Sequence, residues 1–239
     1  MQRKTLRSVV RFLFKNLSHL EVIGLENLPG DEGYLLAVNH LGRLDAPLVF
    51  SLIERERLSA LVADKYQSSP FFRWIVNQVN GIWINRDEAD IRALKAARDY
   101  LKAGGVLGIA PEGTRSQTGE LQEAKTGVAF LADKANVPVI PVGISGTQKA
   151  LSELLHLRRP EIRIVFGEPL KLQPIDRRKR ADDLQRNSDE IMCRIAALLP
   201  SEYRGVYKNH PRLQELLAGQ AASVSATEQQ TEAISFSLK

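Results

Sequence analysis

Between residues 34 and 166, short apolar runs of strand length alternate with longer stretches of helical periodicity. The runs predict strands at 34–39, 58–63, 82–85, 106–110, 139–142 and 162–166, and a weaker pattern predicts one at 18–23. The helical stretches are 46–53, 70–79, 87–102, 126–135 and 149–155. This alternation predicts an α/β fold in a single domain, with a largely parallel, mixed sheet flanked by helices and functional loops at the carboxyl ends of the strands.

The N-terminal segment, residues 1–19, predicts an amphipathic helix in which a basic stripe flanks an apolar one. Such a helix can rest in a membrane interface with its cations against anionic headgroups. It can also pack its apolar face on the domain, and the two interpretations are compatible. The basic stripe is Arg3, Arg7, Arg11 and Lys15, and the apolar stripe is Leu6, Val10, Leu13 and Leu17, joined by Val9 and Phe14.

The rest of the chain divides into a main domain and a tail. The domain is predicted to span residues 20–219 and to include an amphipathic helix at 177–199. Residues 220–239 are mostly Ala, Ser, Thr, Gln and Glu, which predicts a disordered tail.

The composition of the chain indicates the cellular compartment in which it works and the charge of its partners. The one cysteine, Cys193, excludes an intramolecular disulfide, and no cleaved signal peptide is recognisable, so we expect a cytoplasmic protein. No apolar run reaches the roughly 20 residues of a membrane-spanning helix. The net charge of +5 favours an anionic partner. Aromatic residues are only 6% and no recognition motif accompanies the charge, so nucleic acid is not the expected partner.

Several common mechanisms lack their motifs. Residues 143–147 lack the last glycine of a nucleophile elbow, and no phosphate loop or dinucleotide fingerprint is present. The four histidines are scattered without a zinc-ligand spacing, so no metal is expected. Cys193 lies beside the apolar positions of a predicted helix and is interpreted as core filler.

A histidine and an aspartate stand where a predicted strand ends and a helix begins. His40 and Asp45 are five residues apart across a tight loop, so the carboxylate can reach one imidazole nitrogen while the other faces a cleft. Asp45 would then fix the tautomer and leave His40 as a general base toward a hydroxyl. The alternative is that Asp45 is a plain helix N-cap and that His40 only hydrogen-bonds the loop.

Three further segments carry candidate binding residues. One follows a predicted strand, and the other two contain predicted strands. Residues 111–116 offer a glycine and the donors Thr114, Arg115 and Ser116, which suit phosphate oxygens. Residues 81–86 deliver Arg86 to a loop. Residues 137–142 form an apolar strand whose prolines, Pro138 and Pro141, suit an edge or the start of a strand.

Taken together and in this order, the segments resemble the glycerolipid acyltransferase family, in particular the bacterial 1-acyl-glycerol-3-phosphate acyltransferases. The resemblance covers roughly residues 20–170. Lys125 and Gly127 resemble the family's Lys-x-Gly segment, and Lys65 falls where members often carry a lysine. The matching segments are residues 39–45, 82–86, 112–116 and 137–142.

The resemblance implies a reaction without a cofactor. A fatty acyl group would move from a thioester, on acyl-CoA or acyl carrier protein, directly to the free hydroxyl of a lysophosphatidate-like acceptor. His40 would deprotonate that hydroxyl and Asp45 would orient His40. This agrees with the missing serine elbow.

The resemblance also implies roles for the other segments. Arg86 and Arg115 would hold the acceptor phosphate, while Glu112 and Gly113 would shape its pocket with Thr114 and Lys65 nearby. Pro138 and Pro141 would belong to an acyl or donor surface.

One departure from the family pattern concerns the acceptor. Members often carry Ser two residues after the histidine, where this chain has Gly42. The alternatives are acylation of glycerol 3-phosphate or of another lysolipid or alcohol, and a non-catalytic protein that binds phospholipid. In each case we expect a peripheral location on the cytoplasmic face of a membrane, against an anionic surface.

Overall fold

The computed structural model describes residues 3–85 and 90–222. Within them, seven strands form one sheet in the order β1-β7-β6-β2-β5-β3-β4. Neighbouring strands are parallel except β6 and β7, which are antiparallel, so the predicted mixed and largely parallel sheet is confirmed. The strands are β1 (His19–Ile23), β2 (Tyr34–Val38), β3 (Leu58–Ala63), β4 (Ile82–Ile84), β5 (Val106–Ile109), β6 (Val139–Ser145) and β7 (Glu161–Phe166).

Helices cover both faces of the sheet. Phe14, Leu48 and Ala150 from α1, α2 and α6 are buried against one face. The other face is covered by α4, α5 and α7, which contribute residues such as Leu101 and Leu131. The helices are α1 (Arg3–Leu17), α2 (Asp45–Leu52), α3 (Pro70–Gln78), α4 (Ile91–Lys102), α5 (Gly127–Ala135), α6 (Thr147–Leu155) and α7 (Arg180–Leu198).

The central strands are buried on both faces. Every residue of β2 and β6 is buried, which explains why both read as continuous apolar runs and not as alternating ones. Of the two positions expected for the prolines, an edge or the start of a strand, the edge is wrong because β6 lies between β2 and β7. Pro138 directly precedes β6, as its missing N–H favours, and Pro141 lies within the strand with its carbonyl accepting from the N–H of Gly167 at 2.8 Å.

The ends of some elements differ from the predictions. Helix α4 begins at Ile91 because the Asp90 carboxylate accepts the N–H of Ala93 and caps the helix. Helix α7 begins at Arg180, after a 3₁₀ turn over Arg177–Lys179. Residues 211–222 are helical, so the predicted tail is wrong for residues 220–222, and its remainder lies outside the described residues.

Three arginines of the basic stripe on α1 turn toward the protein. Arg3 donates to the carbonyls of Glu56 and Leu58, both at 2.6 Å. Arg7 and Arg11 donate to the carbonyls of Arg55 and Ser51. These carbonyls belong to the last turn of α2, to the segment after it and to the first residue of β3, and none of them has a partner within a helix.

Packing of α1 on the domain is therefore confirmed, and its arginines hold α2 in place. The exposed side of α1 is instead partly apolar, since Val9, Phe12, Leu13 and Leu17 are all exposed. Contact of this helix with a membrane stays a prediction.

We expect Arg11→Ala to lower the free energy of unfolding by about 1 kcal/mol, because the carbonyl of Ser51 loses a charged donor at 2.8 Å. Lys15→Ala is the matched control, since Lys15 belongs to the same stripe but is exposed. It should change stability by less than about 0.5 kcal/mol. Urea unfolding measures both, and equal losses would contradict the inward role of the stripe.

Candidate active site

The loops that follow four parallel strands meet at one edge of the sheet. His40 follows β2, Lys65 follows β3, Glu112 follows β5 and Thr147 follows β6. Because the carboxyl ends of parallel strands lie together, residues far apart in sequence come into one place.

His40 and Asp45 form a hydrogen-bonded pair. The Nδ1 atom of His40 lies 2.7 Å from Oδ2 of Asp45. The Asp45 side chain is buried, whereas 25% of the His40 side chain is exposed. With Nδ1–H donating to the carboxylate, the other nitrogen, Nε2, carries the free lone pair. The pair therefore has the arrangement that a general base requires.

The Asp45 carboxylate is surrounded by donors. Its Oδ2 also accepts the backbone N–H groups of Leu41 and Gly42, both at 2.8 Å. Its Oδ1 accepts the Thr147 hydroxyl at 2.5 Å. Helix α2 begins at Asp45 itself, and its N-cap, Leu44, makes no side-chain cap. The alternative that Asp45 is a plain N-cap is therefore wrong.

The glycine that departs from the family pattern lies against α6. A Cβ atom at Gly42 would lie 3.2 Å from the carbonyl oxygen of Thr147, which is closer than ordinary packing allows. Gly42 thus lets the loop approach the start of α6, where the Thr147 hydroxyl meets Asp45. Arg43, the next residue, is exposed.

The backbone around His40 is fixed from both sides. Asn39 continues the sheet with its side-chain amide, which pairs with the N–H and carbonyl of Ile144 at 2.7 and 2.9 Å. The N–H of His40 donates to Oε1 of Glu112 at 2.9 Å, and its carbonyl accepts the N–H of Ser116 at 2.8 Å. The imidazole therefore stands on a rigid loop.

Glu112 acts through the backbone. It is buried, and its second oxygen, Oε2, accepts the N–H of Gln122 at 3.0 Å. Burial raises the pKa of the Glu112 carboxyl, while the hydrogen bonds from His40 and Gln122 act in the opposite direction. Both oxygens are thus used to join the loop of His40 to the loop of residues 111–122.

The rest of that loop presents cations at its surface. Gly113 has a positive φ of 71°, and the side chain of Lys125 lies over it, since a Cβ there would be 3.0 Å from Lys125 Cδ. Thr114 is exposed and Arg115 is half-buried. Within the described part of the chain, no acceptor meets the Arg115 guanidinium. This cation is available to an anionic ligand.

The other predicted binding residues lie in different surroundings. Lys65 is exposed, with its ammonium 5.4 Å from the ring centre of Tyr66. Arg86 lies outside the described residues. Pro138 and Pro141 are buried and do not line the cavity beside His40. Their assignment to a donor surface stays a prediction, which their burial does not favour.

A cavity of about 150 Å³ adjoins His40 on the face of the sheet that α2 covers. Its lining is mostly apolar, and its polar residues are Asn39, His40, Asp45 and Ser59. Several small residues line it, which leaves room between the sheet and α2. These are Ala46, Ala60, Gly108 and Ala110.

The single cysteine lies away from this site. Cys193 is buried, with its Sγ 3.3 Å from Nδ1 of His210. Burial is the main cause that raises the pKa of this thiol to about 12. Cys193 is therefore a core residue and not an activated nucleophile. Among the described residues, no group of His, Cys, Asp or Glu could hold a metal ion.

The sequence did not point to Thr147 as part of the site, and it included Asn39 only as the first residue of the matching segment 39–45, without a role. Thr147 lies 102 positions from Asp45 and belongs to no recognised motif. Its only signal is its position directly after a strand that neighbours β2. The hydrogen bonds from the N–H groups of His40 and Gln122 to Glu112 could not be predicted either, because only the folded sheet brings these two loops together.

Comparisons with known proteins agree with the fold and show the family. The Acyltransferase family matches residues 19–145, so the chain belongs to that family. The resemblance found in the sequence is confirmed.

Curated relatives carry one enzyme name. A 1-acyl-sn-glycerol-3-phosphate acyltransferase from Pseudomonas aeruginosa is 29% identical over 77% of this chain and 72% of its own. A chloroplastic enzyme of the same name from Brassica napus is 28% identical over 63% of this chain. The match spans 44% of the Brassica protein, which is less than half its length.

A solved structure is also similar. The crystal structure of the 1-acyl-sn-glycerophosphate (LPA) acyltransferase from Thermotoga maritima superposes with a TM-score of 0.60 and 25% identity, covering 79% of this chain and 78% of that one. Among the described residues, no helix has both the length and the apolar character needed to cross a bilayer.

We expect Thr147→Val to lower kcat about tenfold with little change in KM, because Oδ1 of Asp45 loses a buried donor and the carboxylate holds His40 less firmly. Thr147→Ser keeps the hydroxyl and should restore turnover. Steady-state acyl transfer measures both variants. A valine variant with normal kcat, or a serine variant equally slow, would remove Thr147 from the positioning of Asp45.

Proposed function

We propose that the protein transfers a fatty acyl group from an acyl thioester to the free hydroxyl of 1-acyl-glycerol 3-phosphate, giving phosphatidic acid. The observation that carries this proposal is the His40–Asp45 pair at the mouth of an apolar cavity. The names of the relatives support the choice of acceptor.

His40 is the general base. Asp45 accepts Nδ1–H, so Nε2 takes the proton of the acceptor hydroxyl as its oxygen attacks the thioester carbonyl. The new C–O bond forms as the C–S bond breaks, and the proton passes from the imidazolium to the leaving thiolate. No acyl-enzyme and no cofactor are needed, because the thioester itself supplies an activated acyl group.

Arg115 holds the acceptor phosphate, with Lys65, Lys125 and Arg86 as further cations. A guanidinium offers paired donors that match phosphate oxygens. Arg115 lies on the loop that Glu112 joins to His40, so a phosphate bound there is tied to the position of the base. Gly113 leaves space for Lys125 above the loop.

The cavity beside His40 receives an apolar part of a substrate. Its walls of aliphatic and small side chains suit an acyl chain, and His40 in its lining would meet the reacting carbonyl. The donor is acyl-CoA or acyl carrier protein. The acceptor is a membrane lipid, so the enzyme works as a peripheral protein on the cytoplasmic face of an anionic membrane.

A second candidate is acylation of glycerol 3-phosphate or another lysolipid by the same chemistry. The same cations would bind its phosphate. A non-catalytic phospholipid-binding protein is disfavoured by the His40–Asp45 pair, since simple binding does not require an oriented imidazole.

We expect His40→Ala to lower the release of CoA thiol from oleoyl-CoA with lysophosphatidate by about 10²–10⁴-fold, because the attacking hydroxyl loses its base. His19→Ala is the matched control, since His19 lies at the same sheet edge outside the cavity. Normal turnover in the His40 variant, with an unchanged melting temperature, would overturn the assignment of the base.

We expect Arg115→Ala to raise KM for lysophosphatidate about tenfold or more, because the phosphate loses charge-assisted hydrogen bonds. Turnover with a monoacylglycerol, which has no phosphate, should be unchanged. Arg115→Lys should recover part of the affinity because it keeps the charge without the paired donors. An equal effect on both acceptors would place Arg115 away from the phosphate.

A further inference from the structure

Two leucines at the end of α6, Leu155 in its last turn and Leu157 just after it, are largely exposed. Leu155 is 84% and Leu157 is 97% exposed, which are the largest exposures among the described large apolar residues. The residues between and after them, His156, Arg158 and Arg159, are also exposed. A single exposed leucine is common on protein surfaces and needs no explanation. This pair is unusual because of the backbone conformation of Leu157 and because of its position beside α1.

Leu157 occupies a backbone position that favours glycine. Helix α6 ends in a Schellman motif, in which the N–H of Arg158 donates to the carbonyl of Glu153 at 2.9 Å and that of Leu157 to Leu154 at 3.0 Å. Leu157 is the left-handed residue of this motif, with φ at 55°. Leucine is disfavoured in this conformation, so neither folding nor packing explains its presence.

The segment lies beside the end of α1. Arg159 donates to the carbonyls of Lys15 and Ser18, and the N–H of His19 donates to the carbonyl of Pro160 at 2.9 Å. The exposed apolar residues of α1 therefore lie on the helix that this segment adjoins. They are Val9, Phe12, Leu13 and Leu17, of which Phe12 is 64% exposed.

The sheet register places this segment at the same edge as His40. Ser145, near the end of β6, pairs with Arg163 near the start of β7, and His19 pairs with Glu161. Strand β6 runs parallel to β2, so both strands end at the same edge of the sheet. The starts of β1 and β7 lie at that edge too, next to the loop that carries His40. Helices α1, α2 and α6 also cover the same face of the sheet.

We propose that residues 155–159 form a second membrane anchor, which inserts Leu155 and Leu157 into an anionic phospholipid surface next to the exposed face of α1. The two anchors together turn the edge that carries His40 toward the bilayer. This inference rests on the proposed function, in which the acceptor is a lipid.

The chemistry of the segment suits a lipid surface. Leucines at the tip of a turn can enter the acyl boundary while neighbouring cations stay at the headgroups. Arg158 and Lys15 are exposed cations there, and they complement anionic headgroups. Glu161 is the exposed acidic residue beside them, and it lies 4.0 Å from His19. The segment is a projecting turn and not a groove, which favours insertion over the binding of a partner helix.

The first test measures binding of the full chain to phosphatidylcholine vesicles with and without phosphatidylglycerol, by co-sedimentation in the absence of substrate. We expect Leu157→Gly to bind the anionic vesicles about tenfold more weakly, because an apolar side chain no longer enters the lipid. The same variant should melt at an equal or higher temperature, since glycine relieves the left-handed backbone.

The matched control is Ile91→Ser. Ile91 is 75% exposed on α4, which covers the opposite face of the sheet. This variant should bind vesicles like the unmodified protein. Wild-type vesicle binding by Leu157→Gly would overturn the proposal, as would an equal loss in Ile91→Ser. Concentration-dependent dimerisation that Leu157→Gly abolishes, without a change in vesicle binding, would assign the surface to a second copy of the chain and would also overturn it.

The second test reports insertion directly. Cys193 is the single cysteine and is buried, so a cysteine introduced by Leu157→Cys can carry an environment-sensitive dye selectively. We expect its emission to shift to the blue on adding anionic vesicles, whereas dye at Ile91→Cys should not shift. Sedimentation with vesicles but no shift at position 157 would leave α1 as the sole anchor and overturn the proposal.

Both tests are independent of catalysis. A protein that binds vesicles through residues 155–159 but transfers no acyl group would contradict the proposed function and leave the anchor intact. Normal acyl transfer by a protein that inserts nothing at position 157 would contradict the anchor and leave the proposed function intact.

Discussion

The site depends on one buried carboxylate and the donors around it. Asp45 accepts from the His40 imidazole, from the backbone of residues 41 and 42, and from the Thr147 hydroxyl. A buried charge is costly unless such partners surround it, so the contact between the loop after β2 and the start of α6 helps to make Asp45 compatible with the interior. The interactions that make Asp45 compatible with the interior are the same ones that hold the His40 imidazole in position.

The sheet supplies the rest of the geometry. Because β2 lies between β5 and β6, the loops that follow these three strands adjoin at one edge. Glu112 and Asn39 then join the loops with hydrogen bonds to backbone groups, in place of pairing between strands. The residues of the segment 112–116 therefore have different roles. Glu112 and Ser116 fix the backbone of His40, while Arg115 remains available to a ligand.

The amphipathic start of the chain illustrates how one pattern can serve two surfaces. The sequence favours headgroup contacts for its arginines, yet Arg3, Arg7 and Arg11 donate to carbonyls in the last turn of α2 and in the residues that follow it, up to the start of β3. A guanidinium meets an unpaired carbonyl within the protein as readily as it meets a phosphate in a membrane, because both are oxygen acceptors. The stripe pattern is the same in either case, so only the packing of α1 on α2 distinguishes them. The exposed apolar residues of α1 remain available to a lipid surface, beside the turn that carries Leu157.

The sequence by itself determined the α/β class and most of the elements, because these follow from local periodicity. It also offered the pairing of His40 with Asp45 as one of two alternatives, because the two residues are only five positions apart. Patterns within a short stretch of sequence could not decide other features. The edge alternative for Pro141 and the helix-cap alternative for Asp45 stay open in the sequence, because strand order and the direction of a carboxylate depend on distant residues. Only the tertiary structure brought Thr147 to Asp45, Glu112 to His40 and the arginines of α1 to α2. Those contacts join segments that are separated by tens of residues or more, so no pattern of residue spacing in the sequence predicts them.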